Sequence, residues 1–429
     1  MTDSAFSRVC ALAALLVAPC AWAQFQPYSV SYRDPWQYFI YSFATPITGG
    51  LDLNGDGRSD LIVPGEDLST RIYLSQGNGR FVRKTLPFQA GGTRNFSIAG
   101  GDFDGDGRTD LAYTAEANQV RVLRNLGGAN FRHYQAIATT AAGENARLSQ
   151  VVGGDYNGDG RIDLAILDRG GDYAASGATA QIAWGQAGGQ FDAAQNRMPV
   201  APGSIYALAA DFTGDGRADL VTGNARGEIG LSQYDAGTST LRLVTTLVVN
   251  AGTGNPRIEG LGVGDIDGNG RVDAAVVYAY TPANSPNVRN YMLQPLRNNG
   301  QATALQLSGA PQPLTDCVSY VVSVRLGDYD GNGKTDVLLN CRNGVAAILY
   351  GHGDFTFDAP ALVQFTDDAD VSASGKGLAR GDYDGDGKLD IAVVTQRGLR
   401  VLRYDPAADR LFADGFQQAT HAAPLPLMD

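Results

Sequence analysis

A nine-residue pattern, Asp-x-(Asp/Asn/Thr)-Gly-(Asp/Asn)-Gly-x-x-Asp, occurs seven times in this chain. The copies begin at Asp52, Asp102, Asp155, Asp211, Asp265, Asp328 and Asp382. Successive starts lie 50 to 63 residues apart, about 55 on average. A fixed period of this length means one supersecondary unit copied in series rather than several unrelated domains. The flanks repeat as well. Before each loop comes a short run ending in small residues, such as Ser97-Ile98-Ala99-Gly100-Gly101. After its last Asp comes a branched apolar run, such as Asp390-Ile391-Ala392-Val393-Val394. A third run follows a polar turn, as in Val120-Arg121-Val122-Leu123, and a fourth is expected to begin at Phe81, Phe131, Phe191 and Phe355 in its blades. Runs of four to seven residues rich in Val, Ile and Leu and punctuated by Gly and Asp are strands, not helices. Four antiparallel strands, seven times over, predict an all-β fold: a seven-bladed β-propeller of four-stranded antiparallel blades with calcium loops. Closing the ring removes sheet edges that would invite aggregation. Trp36–Tyr41 is the expected latch strand onto the last blade; an open solenoid is the rival architecture, and no capping repeat is evident.

The loops carry the chemistry. Side-chain oxygens at positions 1, 3, 5 and 9 converge if the chain wraps around one point, and glycines at 4 and 6 permit that wrapping. The expected ligands are Asp52, Asn54, Asp56 and Asp60 in the first loop (52–60) and Asp102, Asp104, Asp106 and Asp110 in the second (102–110). The third (155–163) offers Asp155, Asn157, Asp159 and Asp163, and the fourth (211–219) Asp211, Thr213, Asp215 and Asp219. The fifth (265–273) offers Asp265, Asp267, Asn269 and Asp273, and the sixth (328–336) Asp328, Asp330, Asn332 and Asp336. The seventh (382–390) offers Asp382, Asp384, Asp386 and Asp390. Position 7 is always Arg or Lys, so its carbonyl rather than its side chain is the remaining candidate donor. An all-oxygen, flexible donor set suits Ca2+ over Zn2+ or octahedral Mg2+. The strand flanks and the lack of Glu at position 12 exclude an EF-hand. Up to seven Ca2+ are expected, which would move the formal charge from −12 to +2; the weakest site is expected at the Thr213 loop.

The segments GGDFDGDGRTDLAY (100–113), GGDYNGDGRIDLAI (153–166) and RGDYDGDGKLDIAV (380–393) resemble the FG-GAP repeats of integrin-α-type propellers, including bacterial VCBS-type proteins. The resemblance spans about residues 40–415. It implies a seven-bladed ring with Ca2+ in the loop joining the first two strands of each blade. The departures are Thr213, Asn269 and Asn332. The family spans adhesion modules, lectins and some polysaccharide-active enzymes, so the fold does not fix the activity.

Residues 1–23 read as a secretory signal: Arg8, an apolar run over Val9–Ala21, and a small-x-small site at Ala21-Trp22-Ala23. The apolar run is too short to span a bilayer, and Pro19 disfavours a lipoprotein anchor on Cys20. Residues 24–429 are then one exported propeller, periplasmic or extracellular. In an oxidising compartment the pair Cys317 and Cys341 is expected to form a disulfide, two free thiols being the alternative. An excess of acids, 45 against 33 basic residues, excludes nucleic acid as a natural partner. No transmembrane segment is expected after residue 23, and the chain is read as a monomer.

No Gly-x-Ser-x-Gly elbow, His-Glu-x-x-His or P-loop is present. His133, His352 and His421 read as surface histidines. Arg380-Gly381-Asp382 spells an integrin-recognition tripeptide, but Asp382 opens the seventh loop, so the match is coincidental. Arg94, Arg147 and Arg257 each lie eight residues before a loop, which would set them at one height on the calcium-free mouth of the ring. There they would bind an anionic group such as a uronate or a partner's carboxylate; structural pairing with acids is the alternative. The function expected is a non-enzymatic, secreted binding or adhesion module for a glycan or extracellular protein. The alternative is an extracellular polysaccharide lyase or hydrolase on the same scaffold.

Overall fold

Each apolar run that follows a loop is buried on both faces, and this dictates how the strands assemble. Asp110–Ala115 is buried at every position, as is Asp336–Cys341. A strand with no solvated face needs a neighbour in its own sheet on either side and a second sheet against each face. The computed structural model describes residues 25–28, 48–64, 69–77, 80–89, 97–115, 118–139, 148–168, 179–192, 195–200, 204–249, 254–282, 284–285, 288–301, 305–315, 323–341, 345–364, 377–395 and 398–404.

These residues form seven antiparallel sheets. The chain begins with β1 (Phe25–Tyr28). Blade 1 is β2 (Thr48–Leu51), β3 (Asp60–Pro64), β4 (Ser69–Ser75) and β5 (Phe81–Gln89). Blade 2 is β6 (Ile98–Gly101), β7 (Asp110–Ala115), β8 (Gln119–Asn125) and β9 (Phe131–Ala138). Blade 3 is β10 (Leu148–Gly154), β11 (Asp163–Asp168), β12 (Thr179–Ala183) and β13 (Gln195–Pro199). Blade 4 is β14 (Ser204–Ala210), β15 (Asp219–Asn224), β16 (Glu228–Asp235) and β17 (Thr240–Val248). Blade 5 is β18 (Arg257–Gly264), β19 (Asp273–Tyr280), β20 (Asn290–Asn298) and an outer edge split into β21 (Leu305–Leu307) and β22 (Gln312–Pro313). Blade 6 is β23 (Val324–Gly327), β24 (Asp336–Cys341), β25 (Val345–Leu349) and β26 (Ala361–Gln364). Blade 7 is β27 (Gly377–Gly381), β28 (Asp390–Thr395), β29 (Gly398–Tyr404) and, as its fourth strand, β1.

Seven apolar clusters join consecutive blades, and they close the ring. Blades 1 and 2 share Ile72, Leu74, Leu111 and Tyr113, and blades 6 and 7 share Leu338, Ile348, Ile391 and Val393. The cluster of Leu61, Val63 and Tyr73 with Ala392 and Val401 joins blade 7 back to blade 1. The architecture is therefore a seven-bladed propeller, not an open solenoid. The latch lies elsewhere than expected: Phe25–Tyr28 pairs with Tyr404–Val401, while Trp36–Tyr41 lies outside the described residues.

At several positions of the innermost strands, neighbouring blades leave room only for glycine. A Cβ on Gly262 would stand 2.3 Å from Leu326 Cδ1 of the next blade. The Phe-initiated fourth strand holds for blades 1 and 2. In blades 3 and 6 the connection from the third strand is longer, so Phe191 makes only an isolated bridge to Gly185 and Phe355 sits in a turn at φ 69°. The regular outer strands there start later, at Gln195 and Ala361.

Candidate metal centres

Every loop joins the first and second strands of its blade, so all seven stand on one rim of the ring. Gly105 and Gly107 of the second loop have φ of 77° and 83°, which puts both in the left-handed region. Their turn aims consecutive N–H groups at the first aspartate. Asp102 Oδ1 accepts from the N–H of Gly105 (2.8 Å) and of Asp106 (3.0 Å), and Oδ2 from that of Gly107 (2.8 Å). Asp52, Asp155, Asp211, Asp328 and Asp382 accept from the matching three N–H groups. Asp265 accepts from those of Asn269 and Gly270.

Position 9 is the buried anchor. Asp110 Oδ2 accepts from Phe103 N–H (3.2 Å), and Oδ1 from Asn125 N–H at the end of β8 (2.8 Å). Asp60, Asp163, Asp273 and Asp336 tie the same two points of their blades. Asp219 and Asp390 accept the position-2 N–H in theirs. These carboxylates are costly to ionise. Burial, reinforced by the neighbouring loop acids, lifts Asp60, Asp110 and Asp163 to about 6 and Asp219 and Asp336 to about 7, against the pull of the N–H donors. Asp273 is raised by the same burial.

In the second, fifth, sixth and seventh loops, one carboxylate oxygen each from positions 1, 3 and 9 lies within 4.8 Å of the others: Asp102, Asp104 and Asp110; Asp265, Asp267 and Asp273; Asp328, Asp330 and Asp336; Asp382, Asp384 and Asp390. Three converging carboxylates with only oxygen donors can hold a hard metal ion. The first, third and fourth loops have Asn54, Asn157 and Thr213 at position 3, which supply a neutral oxygen there. Asp106 and Asp386, at position 5, are outside these clusters, whereas Asn332 donates from Nδ2 to Asp330 Oδ2 (2.8 Å). Asp56 and Asp215 are bound through their outer oxygens by Arg58 and Arg217 (both 2.5 Å), and Asp106 and Asp159 pair likewise with Arg108 and Arg161.

Two features escape sequence reasoning. The first is position 2, which carries Leu53, Phe103, Tyr156, Phe212, Ile266, Tyr329 and Tyr383. Each is buried in the apolar cluster shared with the next blade. The signal was present, since all seven are large and apolar. The second is a cation from the third strand that meets position 3: Arg124 on Asp104 (2.8 Å), Arg297 on Asp267 (2.9 Å) and Arg403 on Asp384 (3.2 Å). Where position 3 is neutral, the residue at that register is Leu74, Trp184 or Gln233.

The loops also bond across the blade boundaries around the rim. Ala218 N–H donates to Asp155 O (2.7 Å) and Asn298 Nδ2 to Phe212 O (2.7 Å). Ser59 N–H donates to Asp382 O (2.8 Å), joining blade 1 to blade 7. An ion that stiffens one loop therefore acts on the contact between two blades.

The other candidate residues fall apart from this rim. Arg257 opens β18, with Nε 3.5 Å from Oε1 of the buried Glu259, and Arg289 approaches the same oxygen at 3.6 Å. An anionic ligand at Arg257 must compete with that carboxylate. Arg94, Arg147, Cys317 and His421 lie outside the described residues. Cys341 is buried and disulfide-bonded. His133 is exposed on β9, and His352 is exposed with Nε2 3.0 Å from Asp358 Oδ1. Arg380 and Gly381 belong to the innermost strand β27, with Gly381 packed on Ser59, so the tripeptide is no protruding recognition loop.

Among known families, the FG-GAP-like repeat matches residues 52–113, 102–166, 211–276 and 328–393, together more than half of the chain. No curated protein matches by sequence. The chain is similar in structure to one described as BBS1N in complex with ARL6DN, soaked with mercury. The TM-score is 0.51 at 14% identity, over 86% of this chain and 94% of that one. The same complex soaked with lead gives 0.53 at 14% identity, over 85% and 93%. At this identity the likeness is one of fold. No helix among the described residues is long and apolar enough to cross a membrane.

Proposed function

The chain belongs to the FG-GAP-like repeat family, and from that premise we propose that it is an exported, calcium-stabilised binding module for a glycan or an extracellular protein. The observation that carries the metal reading is the meeting of carboxylates from positions 1, 3 and 9 in one small volume. Asp102, Asp104 and Asp110, with their counterparts in the other loops, would hold the ion. Its double charge would offset like-charge repulsion that the loop hydrogen bonds leave in place. Because the loops bond across the blade boundaries, calcium would tighten the ring as a whole.

Binding at the rim opposite the loops follows from this division of labour. The acidic rim is given over to holding blades together, which leaves the other mouth of the ring for recognition. A ring of similar fold is described in complex with ARL6DN, which supports a macromolecular partner. Export is supported by the disulfide-bonded Cys341 and by β1, which begins at Phe25, two residues after the proposed cleavage at Ala23. Cleavage there keeps the latch strand in the mature chain.

The test is a glycan and polysaccharide array probed with the mature protein, with calcium and after EDTA. Calcium-dependent retention on a defined sugar supports the module. A blank array with folded protein moves the reading to a protein partner. Release of reducing ends or unsaturated sugars replaces it with a lyase or hydrolase. Replacing Arg94, Arg147 and Arg257 by Gln then asks whether that mouth holds the ligand.

A further inference from the structure

Two arginines occupy inner-strand positions that are small or apolar in the other blades. The register is set by the last aspartate of each loop. Arg325 pairs with Leu338, two residues past Asp336. The same register holds Thr48, Ala99, Val152, Leu208, Gly262 and Ala379 in the other blades. Arg380 pairs with Ile391, one residue past Asp390. Its counterparts are Gly49, Gly100, Gly153, Ala209, Val263 and Leu326. The two exceptions fall in adjacent blades and face each other. Arg380 Nη1 reaches across to β23, 2.9 Å from where a Cβ on Gly327 would stand, and the Tyr329 ring closes on the same point at 3.7 Å. On the other side, Val324 and Leu326 pack against Gly260 and Gly262 of blade 5, so the alternation of β23 turns Arg325 toward blade 7.

Two like charges brought together in a low-dielectric interface repel, and each loses hydration. Among the described residues neither guanidinium makes an ion pair; Arg325 Nη1 donates only to the carbonyl of Val324 (3.0 Å). Both residues are half-buried, and the Arg325 guanidinium is deeply enclosed by protein. Beside them, the hydroxyls of Tyr329 and Tyr383 are buried without a hydrogen-bond partner. The loop acids nearest in sequence, Asp328 and Asp382, have both oxygens engaged by loop N–H groups. Among the described residues, the junction lacks an acceptor carrying negative charge.

We propose that Arg325 and Arg380 form a binding site for one small oxyanion, a sulfate, phosphate or carboxylate group, between blades 6 and 7 beside the ring axis. Two planar guanidinium forks offer paired N–H donors matched to adjacent oxygens of such an anion. The ion would offset the charge of the pair and add a bond between two blades already joined by apolar packing. This site is independent of the recognition mouth and of the metal loops.

The experiment is equilibrium dialysis of the full chain against radiolabelled inorganic sulfate, with and without calcium, at an ionic strength fixed by sodium chloride. The comparison is Arg325→Ala/Arg380→Ala, which places at both sites residues found at the same register in other blades and is checked for folding by circular dichroism. The expected result is saturable binding of about one sulfate per chain, weakened about tenfold or more in the variant. Acetate should compete for the site. Absence of saturable sulfate binding to the wild type overturns the proposal, whatever the variant does. Equal binding by the folded variant overturns it too, since the arginines would then serve only as counter-charges to the acidic rim.

Discussion

Removing metal and raising the pH should destabilise this protein, the reverse of ordinary acid unfolding. The position-9 aspartates carry the argument. Asp110 ionises near 3.8 in an unfolded chain and at about 6 in the fold, burial being the main cause. Between these values the folded state holds more protons than the unfolded state, so stability falls as pH rises and the loss is complete above the folded value. One unit is about 1.4 kcal/mol, so Asp110 alone represents on the order of 3 kcal/mol. Asp60 and Asp163 match it, and Asp219 and Asp336 shift further, to about 7. Solvent at the rim and coupling within each loop reduce the sum. A third of it is still on the order of 5 kcal/mol, large against the total stability of a folded chain. Differential scanning calorimetry of EDTA-treated protein should therefore give a Tm about 10 °C lower at pH 8 than at pH 4.5. With millimolar calcium the fall should vanish, because the ion binds the ionised form, and the two curves should separate progressively between pH 4.5 and 7.5. A metal-free Tm that is flat or rises over that range would refute the reasoning, as would calcium stabilisation of equal size at both ends.

Three further outcomes follow from the same geometry. Asp163→Ala strips the acceptor from the buried N–H groups of Tyr156 and Gly185. At pH 5 in EDTA, where its ionisation cost is absent, urea unfolding should show a loss of about 2–5 kcal/mol, whereas Asp159→Ala at the exposed position 5 should stay within about 1 kcal/mol. Gly351→Ala would place a Cβ 2.0 Å from the carbonyl oxygen of Thr335. Backbone cannot yield there as a side-chain tip can, so a loss of at least about 2 kcal/mol is expected, and an unchanged urea midpoint would contradict the packing. Arg124→Gln removes the cation from Asp104. It should lower the metal-free Tm by the equivalent of about 1 kcal/mol or less and enlarge the calcium-induced rise, and a smaller rise would show that the arginine helps rather than competes with the ion.

The local chemistry of this protein is legible along the chain. Asp and Gly at fixed offsets dictate a wrapped loop whatever surrounds it, because the bonds that wind it, such as Gly105 and Gly107 N–H to Asp102, span at most five residues. The period and the apolar runs gave seven blades of four strands, since a strand's alternation and length are properties of its own residues. Tertiary structure decided whatever depends on which distant residues become neighbours. Phe25–Tyr28 closes blade 7 by pairing with residues near the other end of the chain. The sequence points to Trp36–Tyr41 instead, because strand pairing leaves no local mark. The guanidiniums of Arg124, Arg297 and Arg403 meet Asp104, Asp267 and Asp384 across 19 to 30 residues. Arg325 and Arg380 come together only because packing of consecutive blades sets their inner strands side by side. Charges placed by long-range packing, in a dielectric the packing itself creates, have no signature in either residue alone.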